Sequence, residues 1–379
     1  MGQHSVAPAP SSINTIAHHV FGVSTVAKTC LVTGGAGFIG CAISSLIRNQ
    51  FDRVVALDNM HPQVHPTSQR PDRLHPAVEL VVGDVTEAAT WDMLLAGLKP
   101  DVIIHLAAET GTGQSLTEGT RHAHVNVVGT TRMLDALVAH KCIPKRVVLT
   151  SSRAVYGEGA WIDDQGRISY PGQRSRAQLE AGIWDFPGLK CLPFEAMRTE
   201  PRPTSIYGAT KLTQEMILSA WALSFGVEVG LLRLQNVYGL GQSLTNPYTG
   251  IVSLFSRMAK AGKTIPLYED GEIVRDFVFI DDVARAVAHM ATGTVPSNVA
   301  YDVGSGEATT IAQLARYIAT IYGAPEPKVS GEFRNGDVRA ASADITRTRA
   351  ELGWHPQWNV ESGVEALCAW IDKQELPLL

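Results

Sequence analysis

The chain has 379 residues, 45% hydrophobic and 18% charged, with a formal net charge of -5, a composition that suits one large or two modest soluble domains. The lack of a basic bias excludes nucleic acid as the expected partner, and no uninterrupted apolar run reaches the roughly 18 residues of a membrane helix. Five scattered cysteines, Cys30, Cys41, Cys142, Cys191 and Cys368, show no CxxC spacing, which predicts reduced thiols in a cytoplasmic protein.

Residues 1–27 are rich in Ala, Pro and Ser and lack the cationic start and apolar stretch of a signal peptide. They predict a flexible extension. From Lys28 the pattern becomes regular. "TCLVTGG" predicts a buried strand and "GFIGCAISSLIRNQ" a helix. "DRVVALDN", "VELVVGDV", "DVIIHLAAE", "RVVLTSS" and "VEVGLLRLQNVYG" predict five more strands, with helical stretches such as "TEAATWDMLLAGL" between them. Strands apolar on both faces that alternate with helices predict an α/β fold, a doubly wound parallel sheet over residues 28–240. The segment 158–203 interrupts it. Its aromatics Trp161, Tyr170, Trp184, Phe186 and Phe194 fit either a lid or a packed insertion with a helix of its own. Residues 241–379 predict a smaller mixed α/β substrate domain, with 277–303 returning to the first.

Within this framework three motifs carry chemistry. "TGGAGFIG" sets Gly34, Gly37 and Gly40 between a strand and a helix. Such a turn lets backbone N–H groups approach a pyrophosphate, and the helix N-terminus adds partial positive charge. Asp58 ends the second strand, where a carboxylate accepts hydrogen bonds from ribose hydroxyls and repels a 2′-phosphate, so NAD is expected rather than NADP. Asp84 and Val85 of "GDV" follow the third strand, at the adenine edge. "YGATK" puts Tyr207 and Lys211 one turn apart on one helical face. A phenol ionises near pH 10, but a neighbouring ammonium and an oxidised nicotinamide favour the phenolate, which makes Tyr207 a candidate general base. No cluster of His, Cys, Asp and Glu has metal-ligand spacing, so no metal is expected.

Gly34, Gly37, Gly40, Ser152, Tyr207 and Lys211 together resemble the extended short-chain dehydrogenase/reductase superfamily, specifically its nucleotide-sugar epimerases and dehydratases. The resemblance covers about Lys28 to Glu375. It implies that Ser152, four before the Tyr of "VYG", helps Tyr207 move a proton. It also implies cofactor contacts from Phe38, Ile39, Asn59, Leu106, Ala107, Ala108, Asn126, Thr150 and Ser151. Dehydratases of the family follow the serine position with Asp–Glu, and decarboxylases keep the Glu; here the pair is Arg153 and Ala154. Ala154 has no acid–base chemistry, which leaves hydride chemistry at a carbinol. "LDNMHPQVHP", "HLAAETGTGQS", "LRLQNVYGLGQSLTNPYTGIVSLFSRM" and "GDVRAASADITRTRAELGW" look like the dTDP-L-rhamnose 4-epimerase group. By that resemblance Asn236 and Arg275 hold the substrate diphosphate, Arg334 and Arg339 are further phosphate ligands, and Gln114, Ser115, Ser152 and Arg153 face the sugar. "LRLQN" departs from the common "LRYFN". The implied activity is NAD-dependent C4 epimerisation of a nucleotide sugar in a homodimer. A nucleotide-sugar 4-ketoreductase and a non-catalytic dinucleotide sensor are the alternatives.

Overall fold

Seven apolar runs form one parallel sheet in the computed structural model, which describes residues 28–65, 67–244, 246 and 250–374. The extension expected over 1–27 lies outside the described residues. The strands are β1 (Thr29–Thr33), β2 (Arg53–Asp58), β3 (Glu79–Val82), β4 (Val102–His105), β5 (Arg146–Ser152), β6 (Glu228–Leu234) and β7 (Val299–Val303). Their order is β7-β6-β5-β4-β1-β2-β3, every neighbouring pair parallel. The chain therefore winds outward from β1 in one direction and then from β4 in the other. That reversal opens a crevice at the carboxyl ends of β1 and β4, where ligands of such sheets bind.

Strand residues alternate between two cores. Cys30, Val32, Val54, Ala56, Ile104 and Val148 pack on one face, under helix α1 (Phe38–Arg48) and the helix Ile280–Thr292. Leu31, Val55, Leu57, Ile103, Val147 and Leu149 pack on the other. The period of two in a strand produces this division, and each fully buried aliphatic side chain contributes roughly 1.5–3 kcal/mol.

The sixth expected strand is broken. β6 ends at Leu234, and Asn236–Tyr238 pairs instead with Phe277–Phe279. The Asn236 N–H donates to Asp276 O at 3.0 Å, so Asn236 turns out of the sheet toward the C-terminal part. There, Val274–Arg275 is the central strand between Thr309–Thr310 and Ala340–Ala341, and the helices Ile251–Lys260, Ile311–Tyr322 and Val360–Ile371 share a third core.

The segment 158–203 is packed and structured. Trp161–Asp163 pairs antiparallel with Ile168–Ser169 and Leu189–Cys191, and Arg176–Glu180 is a short helix. Buried Phe194 stacks on Tyr156 with ring centroids 4.6 Å apart. Buried Arg174 donates to Glu269 Oε2 at 2.8 Å and to Asp337 O at 2.9 Å, which fixes the segment to the C-terminal part.

Candidate active site

Gly34 opens the first turn at φ +66°, and its N–H donates to Leu57 O at 2.7 Å. A Cβ there would lie 2.7 Å from Ala107 N, and one on Gly40 would lie 2.4 Å from Gly35 O. Both close approaches need glycine. Gly37 is the N-cap of α1, and no side chain caps that helix or places an acid in its first turn. The N–H groups of Phe38 and Ile39 thus begin a helix with no carboxylate competing for an anion. The Asp58 carboxylate accepts from Ala36 N at 3.0 Å and Met60 N at 2.9 Å, and His65 Nε2 stands 3.3 Å from it. Asp58 therefore ties the glycine turn to the end of β2. Asn59 Nδ2 donates to Asp84 Oδ2 at 2.9 Å, and Val85 is buried beneath that pair. Leu106, Ala107 and Ala108 line the exit of β4, and Thr150 and Ser151 the exit of β5. These residues form one rim along the crevice, and its glycine cradle, donors and acidic residue fit a dinucleotide.

Asn126 stands differently from its expected role. Its amide is spent on the protein: Oδ1 accepts from Glu109 N at 2.8 Å, and Nδ2 donates to Glu109 O at 3.0 Å and Thr210 Oγ1 at 2.9 Å. It braces the loop after β4 against helix α2 (Ile206–Phe225) rather than offering a free amide. The Ser151 hydroxyl is likewise donated to Glu215.

Three groups meet at the other end of the rim. Ser152 caps a 3₁₀ turn, Arg153–Tyr156, with its Oγ accepting from Ala154 N at 3.1 Å. Helix α2 starts against that turn, its N-cap Ser205 accepting from Gly208 N at 3.0 Å. A Cβ on Gly208 would lie 2.3 Å from Ala154 O. Glycine there lets the helix approach closely enough for Tyr207 to reach Ser152. Burial raises the Tyr207 phenol above its ordinary value, while the hydrogen bond with Ser152 and the Arg153 charge pull it back. Burial pushes the Lys211 ammonium, one turn along the helix, down to about 7, with Glu215 opposing the fall. The Arg153 guanidinium is a further cation that acts on the phenol. A phenol hydrogen-bonded to a serine beside a cation can accept and return a hydroxyl proton.

The phosphate candidates divide. Arg153 Nε donates to Asn236 Oδ1 at 2.6 Å, and Arg275, buried, donates through Nη2 to Asp337 Oδ1 at 2.6 Å. Arg153 and Arg275 sense each other's charge, with Asp337 and Glu158 nearby. Arg339 does not join them, a correction to the sequence reading. Its five donors are all used: Nε and Nη2 on Asp185, Nη1 and Nη2 on Asp270, and Nη1 on Glu269, at 2.7–3.3 Å. It clamps the insertion and has no donor left for phosphate. Arg334 is exposed and stacks on the Tyr268 ring at 5.1 Å. Gln114 is also corrected: its amide N–H groups bond Gln63 and Glu118 and leave none for a sugar. Ser115 Oγ donates to Thr112 O at 2.7 Å and keeps its lone pairs as acceptors.

Several residues of the site went unremarked in the sequence. Glu215 receives Ser151 and a bidentate Arg233, whose Nη1 donates to Tyr156 OH at 3.0 Å; Tyr156 OH in turn donates to Asp302. The spacing Lys211-x-x-x-Glu215 was the available signal. Buried Glu158 has its carboxyl pushed up to about 7 by burial, with the Arg339 N–H and Arg174 opposing. Among the described residues no three His, Cys, Asp or Glu side chains form a cluster that could hold a metal ion.

Comparison with known proteins places the chain in a family. Residues 30–176 and 188–304 match the NAD-dependent epimerase/dehydratase family. The chain is 59% identical over 347 residues to a dTDP-L-rhamnose 4-epimerase of Burkholderia thailandensis, covering 92% of this chain and 96% of that one. It is 33% identical to a UDP-glucose 4-epimerase of Mycolicibacterium smegmatis, covering 88% and 95%. Among solved structures, the UDP-glucose 4-epimerase of Thermotoga maritima with UDP-glucose superposes with a TM-score of 0.76 at 27% identity, covering 91% and 99%. MoeE5 in complex with UDP-glucuronic acid and NAD superposes with 0.72, also at 27% identity and with the same coverage. The chain belongs to the NAD-dependent epimerase/dehydratase family, and NAD is its cofactor.

Proposed function

We propose that the protein inverts C4 of a nucleotide-diphosphate sugar through a 4-keto intermediate, converting dTDP-L-rhamnose to dTDP-6-deoxy-L-talose. The observation that carries the reaction type is the Ser152 turn. It brings a proton-accepting phenol beside Ala154 and Arg153, where the dehydratases and decarboxylases of the family carry carboxylates. The buried acid closest in sequence, Glu158, is engaged by the Arg339 N–H and stands 3.4 Å from Arg174 Nε. The sugar is suggested by the relative at 59% identity, which this chain matches over nearly its whole length.

Tyr207 as phenolate takes the proton of the C4 hydroxyl, with Ser152 sharing it, and returns it once the sugar has presented its other face. When bound, NAD supplies a hydride acceptor that gives the hydride back, so there is no net redox change. Phe38 and Ile39 N–H, Asp58 and the Gly34 turn would hold its adenosine and pyrophosphate, and Lys211 its nicotinamide ribose. Asn236 and Arg275 hold the substrate diphosphate while the sugar turns, which keeps the keto sugar in the pocket between the two half-reactions. Arginine suits the task because its planar fork binds phosphate oxygens in pairs.

A homodimer is part of the proposal. Met216 and Leu223 on α2 are 65% and 75% exposed, an apolar strip that a second copy would cover. The five free thiols fit a reducing compartment, the cytoplasm. No described helix is long and apolar enough to cross a membrane. The test is proton NMR of dTDP-L-rhamnose with the purified protein and no added cofactor. A second set of anomeric and C4 signals growing to a fixed ratio is expected. No change, before or after adding NAD, refutes the substrate.

A further inference from the structure

Arg153 has an unusual position. It begins the turn that Ser152 caps, one residue from the group that shares the Tyr207 proton. Its Nε is committed to Asn236 Oδ1 at 2.6 Å. Among the described residues its two terminal nitrogens have no hydrogen-bond partner, yet they belong to a side chain that lines a cleft with Ala154, Thr204, Ser205 and Asp337. One consequence follows from chemistry alone. By occupying Asn236 Oδ1, Arg153 leaves both Asn236 N–H groups to point at an anion. It bonds Asn236 of the proposed diphosphate seat, and its charge also acts on the Tyr207 phenol.

That placement answers an electrostatic difficulty. A phenolate next to a bound diphosphate is opposed by like charge. The charged groups around Arg153 are Arg275 on the central strand Val274–Arg275, Asp337 on the loop before Ala340, Glu158 after the 3₁₀ turn, and Tyr207 on α2. Arg275 shares its charge with Asp337 while it holds the diphosphate, whereas Arg153 has no carboxylate partner among the described residues and bonds Asn236 alone. We propose that Arg153 is an electrostatic partition: its guanidinium binds the substrate diphosphate together with Asn236 and shields the Tyr207 phenolate from that diphosphate's charge. The role rests on the diphosphate seat proposed above. It also gives a reason for Arg at a position where the dehydratases carry an acid.

The test needs no turnover. NAD-loaded wild type, Arg153→Met and Arg153→Lys are compared, each against its own Tyr207→Phe partner. Near-ultraviolet phenolate absorbance as a function of pH then isolates Tyr207, and calorimetry measures binding of dTDP. For Arg153→Met the expected results are dTDP affinity about ten- to a hundredfold weaker, and a Tyr207 titration about one pH unit higher that rises further when dTDP binds. In wild type, dTDP should move the titration little. Arg153→Lys keeps the charge and loses the Nε bond, so its Tyr207 titration should stay near wild type while dTDP binds more weakly. Weaker dTDP binding with an unmoved Tyr207 titration in Arg153→Met overturns the proposal, and so does a moved titration with dTDP affinity intact. Wild type that binds dTDP but does not epimerise dTDP-L-rhamnose refutes only the sugar assignment. Wild type that does not bind dTDP refutes the seat itself.

Discussion

Replacing Gly208 by alanine tests whether the approach of α2 to the Ser152 turn sets the chemistry. The new Cβ would lie 2.3 Å from Ala154 O, 2.9 Å from Ala154 C and 3.1 Å from Pro203 Cβ. The first two are backbone atoms, so no side-chain rotation relieves them. Restoring ordinary contact at 3.4 Å or more requires the helix start and the turn to part by about 1 Å. Tyr207 and Ser152 sit on the two parts that separate. A misplacement of that size costs on the order of a hundredfold in rate, and the overpacking costs about 1–3 kcal/mol of stability. We expect kcat for epimerisation to fall about a hundredfold, KM to change little, and the thermal midpoint to drop by a few degrees. Gly226→Ala is the control. It ends the same helix at φ +68° with nothing within 4 Å of a new Cβ, so it should cost about 1 kcal/mol of stability and leave kcat alone. Gly208→Ala with kcat within twofold of wild type would refute the argument.

The two buried arginines should separate by assay. Arg275→Met should weaken dTDP binding about tenfold to a hundredfold, read by calorimetry. Arg339→Met strands Asp185, Asp270 and Glu269; it should cost about 3–5 kcal/mol of stability in denaturant unfolding, with any folded fraction binding dTDP normally. Glu158 predicts a pH dependence. Its folded value, about 7, lies above its ordinary value of 4.5, so the folded state holds the proton more tightly. The contribution of Glu158 to stability is then greatest below 4.5, falls as pH rises from 4.5 to 7 and levels off above. Glu158→Gln should make the unfolding free energy less steep across that window, and an unchanged slope would contradict the assignment. Buried Asp276 and Asp302, raised by burial to about 6 and about 7, retain their own share of the slope.

The parts of the molecule that could be read from sequence are those set by local patterns. The apolar runs of β1, β4 and β5 could be recognised because residues buried on both faces leave no polar alternation. The Gly34 turn and the Tyr207–Lys211 face depend on neighbours within one or two turns. What escaped depends on distant partners. Gln235 and Asn236 continue an apolar run, and only the competing strand Phe277–Phe279 shows that Asn236 leaves the sheet. Arg339 is a phosphate candidate by the resemblance to the dTDP-L-rhamnose 4-epimerase group, because arginine's planar fork suits phosphate oxygens. Its carboxylates lie 69 to 154 residues away along the chain and could not be matched to it by spacing. The resemblance places Gln114 at the sugar, but Gln63, 51 residues before it, takes up its amide. The Lys211–Glu215 spacing was visible, but not that Glu215 also holds Ser151 and Arg233, which needs the sheet order to be known.

The central claim is that the C4 hydrogen leaves and returns within one pocket, with Tyr207 moving only the hydroxyl proton. dTDP-L-rhamnose carrying deuterium at C4 should be incubated with the purified protein in ordinary water and followed by NMR to equilibrium. The account predicts two C4 epimers, both with the deuterium still at C4. Epimers that have exchanged the label for solvent hydrogen, or a single unchanged sugar, would contradict it.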